Sequence, residues 1–148
     1  MIYREEVRDL FSVPEEYYLA HCISADFALG KGIAVEFNKL FDMKYELQSK
    51  YPNYLSSWHK NSWWGDCILE GRVLNLVTKE KYFHKPTYNS LKNALICCRL
   101  LCLDNFITKL AMPAIGCGLD RLQWDKVSEI IKEVFNNTPI EILVCKTK

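Results

Sequence analysis

The chain has 148 residues, 49% of them hydrophobic, and a formal net charge of +1. That length carries one domain with a sizeable core, and the near-zero charge excludes a chain-wide basic footprint for salt-driven nucleic-acid binding. Seven cysteines, an odd number that includes the adjacent pair Cys97–Cys98, do not form the spacing pattern of a secreted disulfide framework. The first residues, Met1 to Glu6, lack the basic start and apolar run of a signal peptide, and no run reaches the length of a membrane span. The expected setting is therefore reducing and intracellular, cytoplasmic or nuclear, for a monomer of one domain over residues 1–148.

Tyr17 to Ile23 is an apolar run that predicts a buried strand. A polar loop with Gly30-Lys31-Gly32 follows, and Ile33, Phe37, Leu40 and Phe41 then recur at one face of a helix. Residues 44–66 interleave Tyr45, Tyr51, Tyr54, Trp58, Trp63 and Trp64 with polar residues at no clean period, which predicts a loop with short helical pieces and aromatic packing. Cys67–Leu69 and Arg72–Thr78 flank Glu70-Gly71 and read as a hairpin that delivers Lys79 at its end. Thr87 is a good N-cap for a helix through Leu91, Ala94, Leu95, Cys98, Leu101 and Cys102, closed by Asp104-Asn105. Ile107–Pro113 predicts another strand, Val127 to Phe135 the last amphipathic helix, and Ile140–Cys145 a final strand.

The stretch Met112 to Trp124 concentrates the chemistry. A strand meets Gly116-Cys117-Gly118, then Asp120, then a helix pattern. Glycines at such a junction let backbone N–H groups approach a ligand, and a helix N-terminus favours a phosphate. Strands alternating with helices give an α/β sandwich with a mixed sheet, whose ligands lie beyond the carboxyl ends of the strands. Gly30–Gly32, Lys79 and Gly116–Asp120 all fall at that edge. Neither glycine loop is a dinucleotide fingerprint or a Walker loop, which disfavours NAD and ATP enzymes of those types.

Lys79 at a strand end has a plain reading as a solvated edge lysine. Its functional reading needs a crevice that desolvates the ammonium, so that a neutral amine attacks a carbonyl-like or acetal carbon. A neighbouring carboxylate favours the cation but assists proton transfer once reaction starts. His21 inside an apolar strand reads as a hydrogen-bonded core histidine. Cys98 and Cys102 share a helix face without completing a zinc pattern, and Cys117 reads as a small loop-packing residue, so no metal and no cofactor are expected.

These residues resemble a macro domain, in the terminal ADP-ribose protein glycohydrolase branch. The similarity is carried by Leu19-Ala20-His21-Cys22-Ile23-Ser24, Gly30-Lys31-Gly32-Ile33-Ala34-Val35 with Phe37, Thr78-Lys79, His84-Lys85-Pro86-Thr87-Tyr88 and above all Met112–Trp124. It implies an α/β fold, a three-layer α/β/α macro domain with a central mixed β-sheet, that takes ADP-ribose. It further implies Asp9 at the adenine amino group, with Leu10 beside it. Gly30, Gly32 and Ile33 would line the distal ribose and phosphates, with Ser24 and Ala34 also among the ADP-ribose contacts. Gly116, Cys117, Gly118 and Leu119 would donate N–H groups to the pyrophosphate, flanked by Pro113 and Ile115. Lys79 would attack the anomeric carbon of the distal ribose, and Asp120 would assist ring opening and resolve the lysine adduct.

The chain departs from the pattern at Arg8, where Gly is usual, and at Asp42, where a Gly pair is common, which predicts altered loops at both places. Ile23-Ser24-Ala25-Asp26 replaces the Asn-Ala-Ala-type loop of other macro-domain hydrolases, favouring the lysine mechanism over water activation. The implied activity is an ADP-ribosyl hydrolase acting on modified acidic side chains or nucleobases, with ADP-ribosylated protein or nucleic acid as substrate and no membrane partner. Lys31, Lys81 and Lys85 are expected near the crevice rim as a local contact surface. The alternatives are a non-catalytic ADP-ribose reader, and an enzyme of O-acetyl-ADP-ribose or ADP-ribose 1″-phosphate.

Overall fold

The computed structural model describes residues 1–58 and 66–147. Trp63 and Trp64, expected to pack with Trp58, lie outside the described residues. Six strands form one mixed sheet: β1 (Ile2–Val7), β2 (Tyr18–Ser24), β3 (Cys67–Glu70), β4 (Val73–Lys79), β5 (Lys109–Met112) and β6 (Glu141–Lys146), in the order β1-β6-β5-β2-β4-β3. All neighbours are parallel except β3 with β4. The helices are α1 (Ile33–Phe41), α2 (Met43–Lys50), α3 (Tyr54–Ser57), α4 (Tyr88–Asp104) and α5 (Trp124–Phe135), with a 3-10 turn at Leu10–Ser12.

The central strands read as continuous apolar runs because both faces are covered. Their residues divide by the two-residue period of a strand. Ala20, Leu74, Leu76, Leu110, Met112, Ile142 and Val144 join the core under α4 and α5. Leu19, Ile23, Val73, Val77, Ala111 and Leu143 join the core that holds Phe37 of α1 with Met43 and Leu47 of α2. Three layers result, as expected from the sequence.

α4 begins as expected. Thr87 Oγ1 accepts from the Ser90 N–H at 3.0 Å and Ser90 Oγ accepts from the Thr87 N–H at 3.0 Å, a reciprocal capping box. His21 and Asn75 are register partners on β2 and β4, both fully buried. Asn75 Nδ2 donates to the Ile68 carbonyl (3.2 Å), so its Oδ1 accepts from His21 Nε2 (2.6 Å), which fixes the tautomer. The imidazole also stacks on Phe37 at 3.8 Å, and burial lowers its pKa to about 4 against a small opposing effect of Asn75. The core reading of His21 holds.

Several local expectations need correction. β1 was not anticipated: its charged residues are those of a solvated edge strand, and only the pairing from Ile2↔Glu141 to Val7↔Lys146 reveals it. The hairpin turn is Gly71-Arg72, because Glu70 pairs with Val73. Leu40 is exposed, and α1 buries Ala34 and Phe37 instead. Residues 43–50 form a full helix that buries only Met43 and Leu47, a stripe too narrow to show as periodicity. Asp42 joins α1 to α2 in the left-handed conformation (φ 52°), one that Asp tolerates better than most residues. Among the described residues, no helix is long and apolar enough to cross a membrane.

Candidate active site

β2 and β5 are adjacent parallel strands whose chains leave in opposite directions, β2 to α1 on one face and β5 to α5 on the other. Such a switch point opens a crevice at the carboxyl edge of the sheet. The loop 25–32, after β2, and the loop 113–123, after β5, are its two walls, and the end of β4 meets both, through the Ala25 N–H to Lys79 carbonyl bond and the Lys79–Asp120 contact.

At that end the ladder is irregular. Ile23 pairs with Val77 and Ser24 with Lys79, so Thr78 is an extra residue on β4. A bulge re-aims the side chain that follows it. Lys79 Nζ lies 2.8 Å from Asp120 Oδ1, and the two side chains are 15% and 14% exposed. An ion pair this sheltered is a charge-assisted hydrogen bond along which a proton can move. The Lys79 carbonyl accepts from the Ala25 N–H at 2.9 Å, which fixes the root of the side chain.

The 25–32 wall ends on Gly32, the N-cap of α1, with φ 62° and ψ −148°. The first N–H groups of α1, at Ile33 and Ala34, have no protein acceptor among the described residues. A Cβ placed on Gly32 would lie 3.5 Å from Leu119 Cδ1, so the two walls approach each other here. Phe27 (φ 55°) and Leu29 (φ 44°) also adopt left-handed backbone while their side chains are buried. Strain of this kind persists only where packing over-determines it.

The 113–123 wall turns at Gly116 (φ 75°), where a Cβ would meet Leu122 Cδ1 at 3.0 Å. Leu122 N–H donates to the Gly116 carbonyl (2.7 Å) and Arg121 N–H to the Gly118 carbonyl (3.2 Å). Among the described residues, the N–H groups of Gly116, Gly118 and Leu119 have no protein acceptor, and that of Cys117 makes only a 3.4 Å contact to the Ala114 carbonyl. This is a nest of donors suited to an anion. The expected immediate start of a helix is not found: α5 begins at Trp124, so the helix-terminus effect belongs to α1 and the second loop relies on its own amides.

The remaining expected residues are placed as follows. Asp9 follows β1, four strands from β4, and its Oδ1 accepts from the Phe11 N–H at 3.0 Å. At about 4.8 Å per strand, roughly 19 Å separates it from Lys79, the span of an elongated two-ended ligand. Arg8, the departure beside it, contacts Glu6 and donates to Ser12 Oγ and the Ser12 carbonyl, bracing the 3-10 turn. Leu10, Ala34 and Ile115 are buried, leaving mainly their backbone to a ligand, while Pro113 is half-buried. Ser24 Oγ is directed to Asp26 Oδ1 at 2.5 Å. Burial pushes the Cys117 thiol up, which suits packing and not nucleophilic attack. Lys31, Lys81 and Lys85 are all exposed, and Lys85 Nζ donates to the Leu119 carbonyl at 2.7 Å. No group of three or more His, Cys, Asp or Glu among the described residues is placed to hold a metal ion. Sequence reasoning named Asp26 only as the end of the Ile23–Asp26 loop and gave it no role, whereas its carboxylate accepts from Ser24, Ala28 and Tyr82.

No family model matches the chain. It is 45% identical over 137 residues to ADP-ribose glycohydrolase OARD1 of Homo sapiens and of Bos taurus, covering 92% of this chain and 86% of each relative. Among solved structures, the macrodomain of Thermus aquaticus DarG superposes with a TM-score of 0.81 at 20% identity, covering 97% of both chains. That of Mycobacterium tuberculosis DarG gives 0.80 at 19% identity, over 99% of this chain and 98% of the other. The solved neighbours establish the fold and the closer relatives the family: the chain is a macrodomain protein belonging to the ADP-ribose glycohydrolase OARD1 family.

Proposed function

We propose that the protein hydrolyses the bond between the distal ribose of ADP-ribose and a modified acidic side chain, with Lys79 as nucleophile and Asp120 as its acid/base partner. The observation that carries this reading is the 2.8 Å Lys79–Asp120 contact at the end of β4. An ADP-ribose laid along the sheet edge would meet Asp9 at its adenine, the Gly116–Leu119 amides at its pyrophosphate, and Gly30, Gly32 and Ile33 at its distal ribose. C1″ would then face Lys79.

Asp120 takes a proton from the Lys79 ammonium, and the free amine attacks C1″. The ester C1″–O bond breaks and its electron pair leaves with the side-chain carboxylate, a leaving group that needs no protonation. The attached nitrogen sheds a proton to solvent, Asp120 protonates the ring oxygen, and the nitrogen lone pair opens the ribose to a lysine iminium. Water, deprotonated by Asp120, adds to C1″; Asp120 returns that proton to the nitrogen, the amine departs with its bonding pair, the hydroxyl proton passes through Asp120 to the free amine, and the ribose recloses. One water is consumed, one proton is released with the carboxylate product, and both residues return to their starting states.

A second leaving group, a nucleobase, is favoured by a specific feature. Tyr82 and Phe83, 58% and 62% exposed with ring centroids 5.3 Å apart, follow Lys79 closely and sit beside Lys81. Release of ADP-ribose from an ADP-ribosylated glutamate peptide and from ADP-ribosylated thymidine or guanine oligonucleotides separates the two. Lys79→Ala and Asp120→Ala should each abolish release, and undiminished turnover in both would overturn the mechanism. ADP-ribose binding without cleavage of any linkage would instead identify a reader.

A further inference from the structure

We propose that Asp26 and Lys85 are positioning residues: they clasp the segment that follows Lys79 to both walls of the crevice and thereby hold the Lys79 amine against Asp120. The proposal rests on the Lys79–Asp120 reading above.

The two oxygens of Asp26 do different things. Oδ1 accepts from groups of its own loop, the Ser24 hydroxyl at 2.5 Å and the Ala28 N–H at 3.2 Å. That alone would make Asp26 a turn cap. Oδ2 reaches across to the Tyr82 N–H at 3.0 Å, in the segment leaving β4. Three residues later, Lys85 Nζ donates to the carbonyl of Leu119 at 2.7 Å, in the opposite wall and directly before Asp120. Residues 80–85 are thus tied at 82 to the wall that carries Gly32 and at 85 to the wall that carries Asp120. Lys79 stands at the root of this bridge.

The segment is otherwise ordered by its own turn, in which the His84 N–H donates to the Lys81 carbonyl at 3.0 Å and the Lys81 N–H to His84 Nδ1 at 3.3 Å. Glu80, Lys81, Tyr82 and Phe83 are all exposed, so its position depends on hydrogen bonds more than on packing. The 25–32 wall in turn carries strained backbone at Phe27 and Leu29, immediately after the carboxylate. Loss of the Oδ2 contact therefore loosens the chain immediately beyond Lys79, whose own backbone stays held by the Ala25 N–H, and loss of the Lys85 contact loosens the Asp120 side.

Asp26→Asn is the sharpest test. Asn retains an oxygen for Ser24 and Ala28 and turns its NH2 toward the Tyr82 N–H, donor against donor, so it severs the crossing contact and keeps the turn. Misplacement of a reacting group by about 1 Å costs up to about 100-fold in rate. We expect kcat on an ADP-ribosylated glutamate peptide to fall about 10-fold, with ADP-ribose affinity and melting temperature close to native. Amide exchange at Tyr82 should accelerate. Lys79, partly freed from Asp120, should acylate faster with an N-hydroxysuccinimide ester, a readout that needs no turnover. Lys85→Met should lower kcat likewise, and Lys85→Arg should recover most of it.

Native kcat and native Lys79 acylation in Asp26→Asn, with Lys79→Ala inactive, would overturn the clasp and leave the site reading intact. Full activity in Lys79→Ala would instead overturn the site reading itself. A loss of kcat in Asp26→Asn matched by a loss of melting temperature and affinity would reduce Asp26 to a structural role and also overturn the proposal.

Discussion

Replacing Gly32 by Ala separates backbone conformation from space in the crevice. Gly32 has φ 62° and ψ −148°, a combination open almost only to glycine. The added methyl would lie 3.5 Å from Leu119 Cδ1, an ordinary contact, so crowding contributes little. The backbone cost is of order 1–3 kcal/mol, and it has two outlets. Either the strain is retained and folding stability falls by that amount, or the peptide rotates and the Ile33 and Ala34 N–H groups turn away from the crevice. In the second case ADP-ribose affinity falls by roughly 10-fold for each 1.4 kcal/mol of interaction lost. Gly30→Ala is the control for stability: Gly30 lies outside the left-handed region and its Cβ would sit 3.8 Å from the Ala28 carbonyl. Its stability should stay within about 1 kcal/mol of native. Urea denaturation gives the first quantity and calorimetric titration with ADP-ribose the second. A Gly32→Ala protein with native stability and native affinity would refute the reasoning, as would a Gly30→Ala protein equally damaged.

Other consequences concern the fold that holds the site. Burial keeps the His21 imidazole at about 4, down from 6.5, mainly by desolvation. Below pH 6.5 the unfolded chain takes up a proton that the folded chain refuses until about pH 4, so stability should fall across that window by roughly 3 kcal/mol and level off beneath it. His21→Gln should flatten that part of the stability–pH curve, and an unchanged slope would contradict the assignment. Thr87→Ala removes one half of the capping box of α4 and should cost about 1 kcal/mol, a melting shift of roughly 2–4 °C; Thr87→Ser should retain most of it.

The layers of the fold were legible because burial on both faces of β2, β4 and β6 leaves largely apolar runs, broken in their interiors only by the paired His21 and Asn75, and because Thr87 and Gly32 mark helix starts with their own chemistry. β1 was not, since an edge strand carries its pairing in the partner β6 and its centre, Arg4, Glu5 and Glu6, is charged. α2 escaped for a related reason: two buried residues, Met43 and Leu47, anchor it, and the rest faces solvent. At the site, motif likeness marked Lys79 and Asp120 but gave no distance between them. The bulge at Thr78 and the contact of Asp26 Oδ2 with Tyr82 are long-range geometry that no local pattern encodes.

The lysine mechanism is tested most directly by intact-protein mass spectrometry of Asp120→Ala after incubation with an ADP-ribosylated glutamate peptide. In Asp120→Ala the Lys79 ammonium can still lose its proton to solvent and attack, but nothing remains to open the ribose and activate water, so the adduct should accumulate as one added ADP-ribosyl group, located at Lys79 by peptide mapping and absent from the Lys79→Ala/Asp120→Ala double variant. An unmodified Asp120→Ala protein that still releases ADP-ribose, or an adduct at any other residue, would contradict the account.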